Sequence, residues 1–260
     1  MSAHHSTVNQ SRLLVTRLRD KDDVDVGSGE AVDTIINHVL AVDPSLKKGA
    51  VLDVGSGFGG KTDYLHRAGF THVQGVDLDE TAVAYAQAKY PHLHFQVGNA
   101  LHVDQMYAPQ SFSFLHVFHV SYAIQEKALL LQRLATIAKP GGILVLFDYA
   151  EGKTPFADAT QDLAGKPMYP IQVPHIQKDL KAAGWKVMEI TDITPLFVTV
   201  YREAVNKLAA QLPVLRKEFS AQAIQRVQDT FSVLATRLEK GDLGGVIIYA
   251  QWETPPSFPE

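Results

Sequence analysis

The sequence predicts an α/β fold, a doubly wound sheet with helices on both faces. Three observations predict it. Short strand patterns alternate with helical ones between residues 51 and 147. The strands are apolar at nearly every position, as in a parallel sheet covered on both sides. A glycine-rich turn joins the first strand to the first of those helices, in the strand–helix alternation of this class.

The elements follow in order. Val51–Asp53 is a short apolar run stopped by glycines, and Gly60–Ala68 (GKTDYLHRA) reads as helix. Val73–Val76 is a strand that ends on Asp77, and Thr81–Lys89 is an alanine-rich helix. Leu93–Val97 and Phe112–Phe118 (FSFLHVF) are strands. Gln125–Ala138 places Leu129, Leu130, Leu134 and Ile137 on one helical face. Lys139–Gly142 (KPGG) breaks that helix, and Ile143–Phe147 (ILVLF) is the most apolar strand. Outside this rhythm, Val32, Ile35, Ile36, Val39 and Leu40 give residues 1–48 an amphipathic helical arm. Glu151–Tyr169 is polar and loop-like. Residues 193–240 read as two helices broken at Pro213, before GDLGG and a last strand, VIIYAQW. A single domain, 1–260, is expected: arm 1–48, core 49–150, a substrate loop, strand and helical lid at 151–240, and a final strand and tail at 241–260.

Composition narrows the function. Of 260 residues, 46% are hydrophobic and the net charge is −4, a poor balance for gripping phosphate backbones, so no nucleic-acid partner is expected. The chain has no cysteine, which excludes disulfides, thiol nucleophiles and cysteine-ligated metals and fits a reducing compartment. The first twenty residues lack an apolar signal core, and no run approaches the ~18 apolar residues that span a bilayer. A cytoplasmic protein with no membrane partner is expected. His4, His5, His72, His92 and His94 share no ligand spacing, so no metal site is expected, and the His-rich start reads as a solvated tail.

The sharpest signal is VLDVGSGFGG, Val51–Gly60. Alternating glycines let a ligand approach the main chain closely, and the following helix offers unpaired N–H groups. The spacing is D-x-G-x-G-x-G, not the dinucleotide fingerprint G-x-G-x-x-G. An acid two residues before the first glycine would repel a pyrophosphate and suit an ammonium. Asp77, in GVDLDE, ends the second strand 24 residues after Asp53 and can accept both hydroxyls of a ribose. The plainer alternative for both acids is helix capping.

VLDVGSGFGG, GVDLDE, VGNA and KPGGILVLFDY, in this order and spacing, resemble the class I S-adenosylmethionine-dependent methyltransferases over about residues 50–150. The resemblance implies a Rossmann-like, seven-stranded sheet with one antiparallel strand, a helical N-terminal arm and a helical lid insertion. It implies S-adenosyl-L-methionine as cofactor and S-adenosyl-L-homocysteine as product. It assigns the methionine portion to Asp53, Gly55, Ser56 and Gly57, the ribose to Asp77, and the adenine to Leu78, Asn99 and Ala100. Asn99 stands where many members have an acid. SGEAVDTIINHVL, FDY and GDLGGVIIYAQ are similar to phosphoethanolamine and sarcosine-type N-methyltransferases, which adds Ser28 to the cofactor residues. Tyr122 stands at the place of the phosphobase enzymes' catalytic histidine, and their phosphate-gripping aromatic and basic cluster is only partly echoed, by Lys166 and Tyr169.

Nucleic-acid amino-methylating members often carry an Asp/Asn-Pro-Pro-aromatic tetrapeptide, and this chain has none, so the expected substrate is a small molecule. His119, Tyr122 and Asp148 fall at the C-terminal ends of the fourth and fifth strands, the edge that borders a ligand in this architecture. His119 is the expected base, because its intrinsic pKa lies nearest neutrality. Tyr122 and Asp148 would orient the acceptor. His116 and Tyr149 read as strand and core residues. Three other functions fit the sequence: a non-catalytic S-adenosylmethionine-binding protein, a methyltransferase of macromolecules, and a nicotinamide-dependent oxidoreductase.

Overall fold

The computed structural model of the chain describes residues 7–19, 29–153 and 160–253. Two helices, α1 (Thr7–Arg19) and α2 (Gly29–Val42), precede β1 (Ala50–Val54). Then come α3 (Gly60–Arg67), β2 (His72–Asp77), α4 (Glu80–Lys89), β3 (His94–Val97) and the single turn α5 (Val103–Met106). β4 (Phe112–Phe118), α6 (Lys127–Ile137), β5 (Ala138–Glu151), α7 (Val173–Ala182) and β6 (Trp185–Asp192) follow. The chain then forms α8 (Thr194–Glu218), α9 (Ala221–Lys240) and β7 (Leu243–Trp252).

The seven strands form one sheet in the order β3-β2-β1-β4-β5-β7-β6. Neighbours among β1 to β5 run parallel, and β7 runs antiparallel to both β5 and β6. β7 is thus the antiparallel strand that the resemblance implies. The strand order reverses between β1 and β4. Helices leave the sheet in opposite directions there, and a crevice opens at the strand ends.

Two apolar layers sandwich the sheet. Period-two alternation sends Val51, Phe114, Phe118, Val145 and Phe147 to the face shared with α1, α2, α8 and α9. Leu52, Leu115, Val117, Leu144 and Leu146 go to the opposite face, against α6 and α7. This alternation decides which acids reach the crevice.

Four details depart from the sequence expectations. α1 was not anticipated, although buried Ser11, Leu14, Val15 and Leu18 follow helical spacing. Pro213 lies inside α8 and does not break it; the break falls at Phe219–Ser220, where the Ser220 hydroxyl caps α9 by accepting from the Ala223 N–H at 3.3 Å. Proline removes one helical hydrogen bond, and buried Leu208 and Leu215 hold the helix on both sides of it. KPGG ends α6 as expected but also bulges within β5, since Ala138 pairs with Phe112 while Ile143 pairs with Phe114. α7 falls in a stretch that the sequence reading left unassigned.

Candidate functional site

The turn after β1 is tied to β2. The Gly55 and Ser56 N–H groups both donate to the Val76 carbonyl, at 2.7 and 3.1 Å. The Gly57 N–H donates to Asp77 Oδ2 at 2.8 Å, and Asp77 Oδ1 accepts from the Asp79 N–H at 2.8 Å. Each carboxylate oxygen still has acceptor capacity. Gly55 has φ +78°, and a Cβ there would lie 2.1 Å from Val120. Gly57 has φ +52°, but a Cβ there would meet nothing within 4 Å. The first glycine is therefore required by packing, whereas the second leaves open space beside the main chain. The Ser56 hydroxyl is buried and has no hydrogen-bond partner among the described residues.

Gly55, Ser56, Gly57, Asp77, Leu78, Asn99 and Ala100 line one end of a cavity of about 710 Å³. The sequence reading named all seven. Leu78 is 66% exposed, an apolar plate at the mouth. The Asn99 carbonyl oxygen accepts from the Leu101 N–H at 2.9 Å, so its amide NH₂ is the group it can offer as a donor. Ser28 lies outside the described residues.

Asp53 departs from its expected role. It shares a sheet face with Val51, because residues two apart point the same way, and it is fully buried below the turn instead of lining the cavity. Its Oδ2 accepts from the Thr62 hydroxyl of α3 at 2.7 Å, and its Oδ1 lies 3.5 Å from His116 Nδ1 on β4. It braces the start of α3. Burial, with a contribution from Lys61, pushes the His116 pKa down to about 4, although the Asp53 charge opposes the shift. His116 is therefore a neutral, buried imidazole at pH 7.

Helix α1 closes the cavity from above. Arg12 and Val15 line it, and Arg12 pairs with Asp79 at 2.5 Å. That ion pair fastens the arm two residues from the Asp77 carboxylate.

The other end of the cavity is aromatic. Tyr149 of β5, Tyr201 of α8, Phe231 of α9, Tyr122 and His119 all line it. The Tyr149 and Tyr201 hydroxyls hydrogen-bond to each other. Burial drives the Tyr149 and Tyr122 pKa values well above the ordinary phenol range, so both stay neutral. His119 has φ +55°, a backbone conformation that costs a non-glycine residue about 1 kcal/mol. Its N–H donates to the Phe147 carbonyl at 2.8 Å, and its ring packs against Phe147, Tyr149 and Phe197 at 5.0 to 5.3 Å.

Asp148 does not line this cavity, which corrects its expected catalytic role. Alternation along β5 turns Tyr149 inward and Asp148 to the opposite face, where Asp148 is fully buried. Its Oδ2 accepts from the Ser121 hydroxyl at 2.7 Å and from the Val120 and Tyr122 N–H groups at 3.1 Å. Burial raises its pKa, and these bonds oppose the rise. Asp148 thus positions the loop that carries His119 and Tyr122. Lys127, which the sequence reading did not single out, does the same from below. Its Nζ donates to the carbonyls of Ser121, Ile124 and Tyr169 at 2.6 to 2.9 Å, and burial lowers its pKa to about 8. Arg12, Asp162, Tyr201 and Phe231 were likewise missed. Phe197 and Tyr201, one helical turn apart and both buried, were a readable apolar stripe on α8.

Comparison with known proteins agrees with this geometry. Residues 52–146 match the methyltransferase domain family. Phosphoethanolamine N-methyltransferase 1 of Arabidopsis thaliana is 27% identical over 186 residues, covering 68% of this chain and 37% of that protein. The chain thus spans well under half the length of the curated phosphoethanolamine N-methyltransferases it matches. Among solved structures, phosphoethanolamine N-methyltransferase 2 of Haemonchus contortus, in complex with phosphomonomethylethanolamine and S-adenosylhomocysteine, superposes with a TM-score of 0.83. The match covers 97% of this chain and 59% of that one at 16% identity. The cyclase SpnF superposes with a TM-score of 0.69 at 17% identity, over 87% of this chain and 82% of its own.

The sheet order and the glycine turn at the switch point thus accompany a match to the methyltransferase domain family over residues 52–146. The chain is similar to the phosphoethanolamine N-methyltransferases.

Proposed function

We propose that this protein transfers a methyl group from S-adenosylmethionine to a small-molecule acceptor. One observation carries the reading: a single cavity joins the Asp77 and glycine-turn end to the aromatic end, under α1. The donor set fits the cofactor. Asp77 has acceptor capacity for the ribose hydroxyls, the buried Ser56 hydroxyl and the open main chain at Gly57 suit the methionine portion, and Leu78 with Asn99 suits the adenine. The bound cofactor supplies an electrophilic methyl group on sulfur. The chain's own work is to hold the acceptor in line, exclude water and take a proton where the acceptor carries one. His119 serves as the base, and Tyr122 orients the acceptor with its neutral hydroxyl. Asp148 and Lys127 act through the loop backbone.

No helix among the described residues is long and apolar enough to cross a membrane. The cysteine-free composition fits a reducing compartment and supports a cytoplasmic location. The test is calorimetry with adenosylhomocysteine on the full chain and on Asp77→Ala. The variant should bind at least tenfold more weakly, since two charge-assisted bonds worth roughly 1.5–3 kcal/mol each are lost. Unchanged affinity would remove Asp77 from the site.

A further inference from the structure

We infer that the acceptor is an amine carried on an apolar body, with no phosphate or carboxylate group. The inference rests on the methyl-transfer reading above and deepens it.

The aromatic end of the cavity is built to receive a cation. Tyr122 and Tyr149 stand 5.4 Å apart at 78°, and Tyr201 and Phe231 stand 5.4 Å apart at 89°. Tyr149 and Tyr201 connect the two pairs. All four rings line one space, and aromatic faces attract ammonium groups. Asp162 lines the same end. Its Oδ1 accepts from the Ala164 and Lys166 N–H groups at 2.8 and 2.9 Å, which fixes the carboxylate in a tight turn. Its Oδ2 has no hydrogen bond among the described residues. A carboxylate held beside neutral phenols favours a positive guest.

Among the described residues, an anionic guest finds little to hold it. Among the described residues, three cations line the cavity: Arg12, Lys61 and Lys166. Arg12 is committed to Asp79 at the cofactor end. The Lys61 ammonium is buried and donates to the Phe118 carbonyl at 2.7 Å. Lys166 is exposed to solvent. Gripping a phosphate or carboxylate takes several converging charge-assisted donors, and Lys166 alone does not provide them. What surrounds the rings instead is apolar: Val15, Leu163, Met168 and Leu234. These suit a hydrocarbon body behind the amine.

The test is calorimetry on the full chain saturated with adenosylhomocysteine. The probes are N,N-dimethylphenethylamine, phosphoethanolamine and N,N-dimethylglycine. The apolar amine should bind at least tenfold more tightly than either anionic probe. Asp162→Asn, which keeps the turn-capping oxygen, should weaken that amine at least fivefold and leave adenosylhomocysteine affinity within twofold. Comparable or tighter binding of phosphoethanolamine or dimethylglycine overturns the inference. So does an adenosylhomocysteine complex that ignores the apolar amine, or an amine affinity indifferent to Asp162→Asn. Failure to bind adenosylhomocysteine at all overturns the underlying methyl-transfer reading, and is seen before any amine is added.

Discussion

At the scale of single residues, the two glycines of the turn make separable predictions. A Cβ at position 55 collides with Val120 at 2.1 Å in a left-handed backbone, so Gly55→Val should fail in folding. At position 57 the side chain enters open space. Gly57→Val then costs mainly the left-handed strain, about 1–2 kcal/mol, and fills the space beside the main chain that the cofactor would take. Thermal unfolding with and without adenosylhomocysteine separates the two. Gly57→Val should melt within several degrees of the wild type and gain nothing from ligand, whereas Gly55→Val should be strongly destabilised. A ligand-induced shift retained in Gly57→Val would show that the turn does not touch the cofactor. The glycines were legible in the sequence as a ligand turn. Their division into one packed and one open position was not, because Val120 reaches Gly55 from the loop after another strand.

At the scale of elements, the arm helix α1 is fastened by the Arg12–Asp79 and Arg17–Glu218 ion pairs and by packing against α8 and α9. The Arg12 and Asp79 side chains are both partly exposed, so the bond contributes on the order of 1 kcal/mol or less to stability. It matters more for closure. Arg12→Gln should raise hydrogen exchange in residues 7–19 severalfold, while exchange in β1, β4 and β5 stays unchanged. Adenosylhomocysteine should slow exchange in residues 7–19 of the wild type more than in the variant. Equal protection of this helix in both proteins would mean that the Arg12–Asp79 pair does not latch the arm. The sequence located a helical arm in residues 1–48 from the stripe in α2. It did not reveal α1, whose buried face is short and whose latch partner lies 67 residues away. The break in the α8–α9 pair was misplaced for a similar reason. Proline is a local signal against helix, and packing around Leu208 and Leu215 outweighs it.

At the scale of the whole molecule, the buried His116–Asp53 pair couples stability to pH. The folded His116 pKa of about 4 lies below the ordinary 6.5, so between those values the unfolded chain binds a proton that the folded chain refuses. Stability from this residue is therefore present above pH 6.5 and is lost as pH falls toward 4. Between pH 7 and pH 5 the loss amounts to about 2 kcal/mol. His116→Phe, which keeps a ring beside Phe118 and Phe114, removes that term. Urea unfolding at the two pH values should show the wild type losing about 2 kcal/mol more than the variant. Parallel losses would mean that His116 titrates normally in the fold.

The sequence by itself determined the strand–helix alternation, the glycine turn and the acid at the end of β2, because each is written in consecutive residues and read by local rules. The family resemblance added Leu78, Asn99 and Ala100, which line the cavity beside the turn. Only the tertiary structure decided which side of each strand the polar groups occupy. Period-two alternation takes Asp53 under α3 and Asp148 to the far face, and turns Tyr149 inward, and no local signal tells which face of a strand buried on both sides borders the crevice. The acceptor end is the clearest case. Its rings come from β5, α8, α9 and the loop after β4, so its chemistry exists only once residues more than a hundred positions apart are folded together.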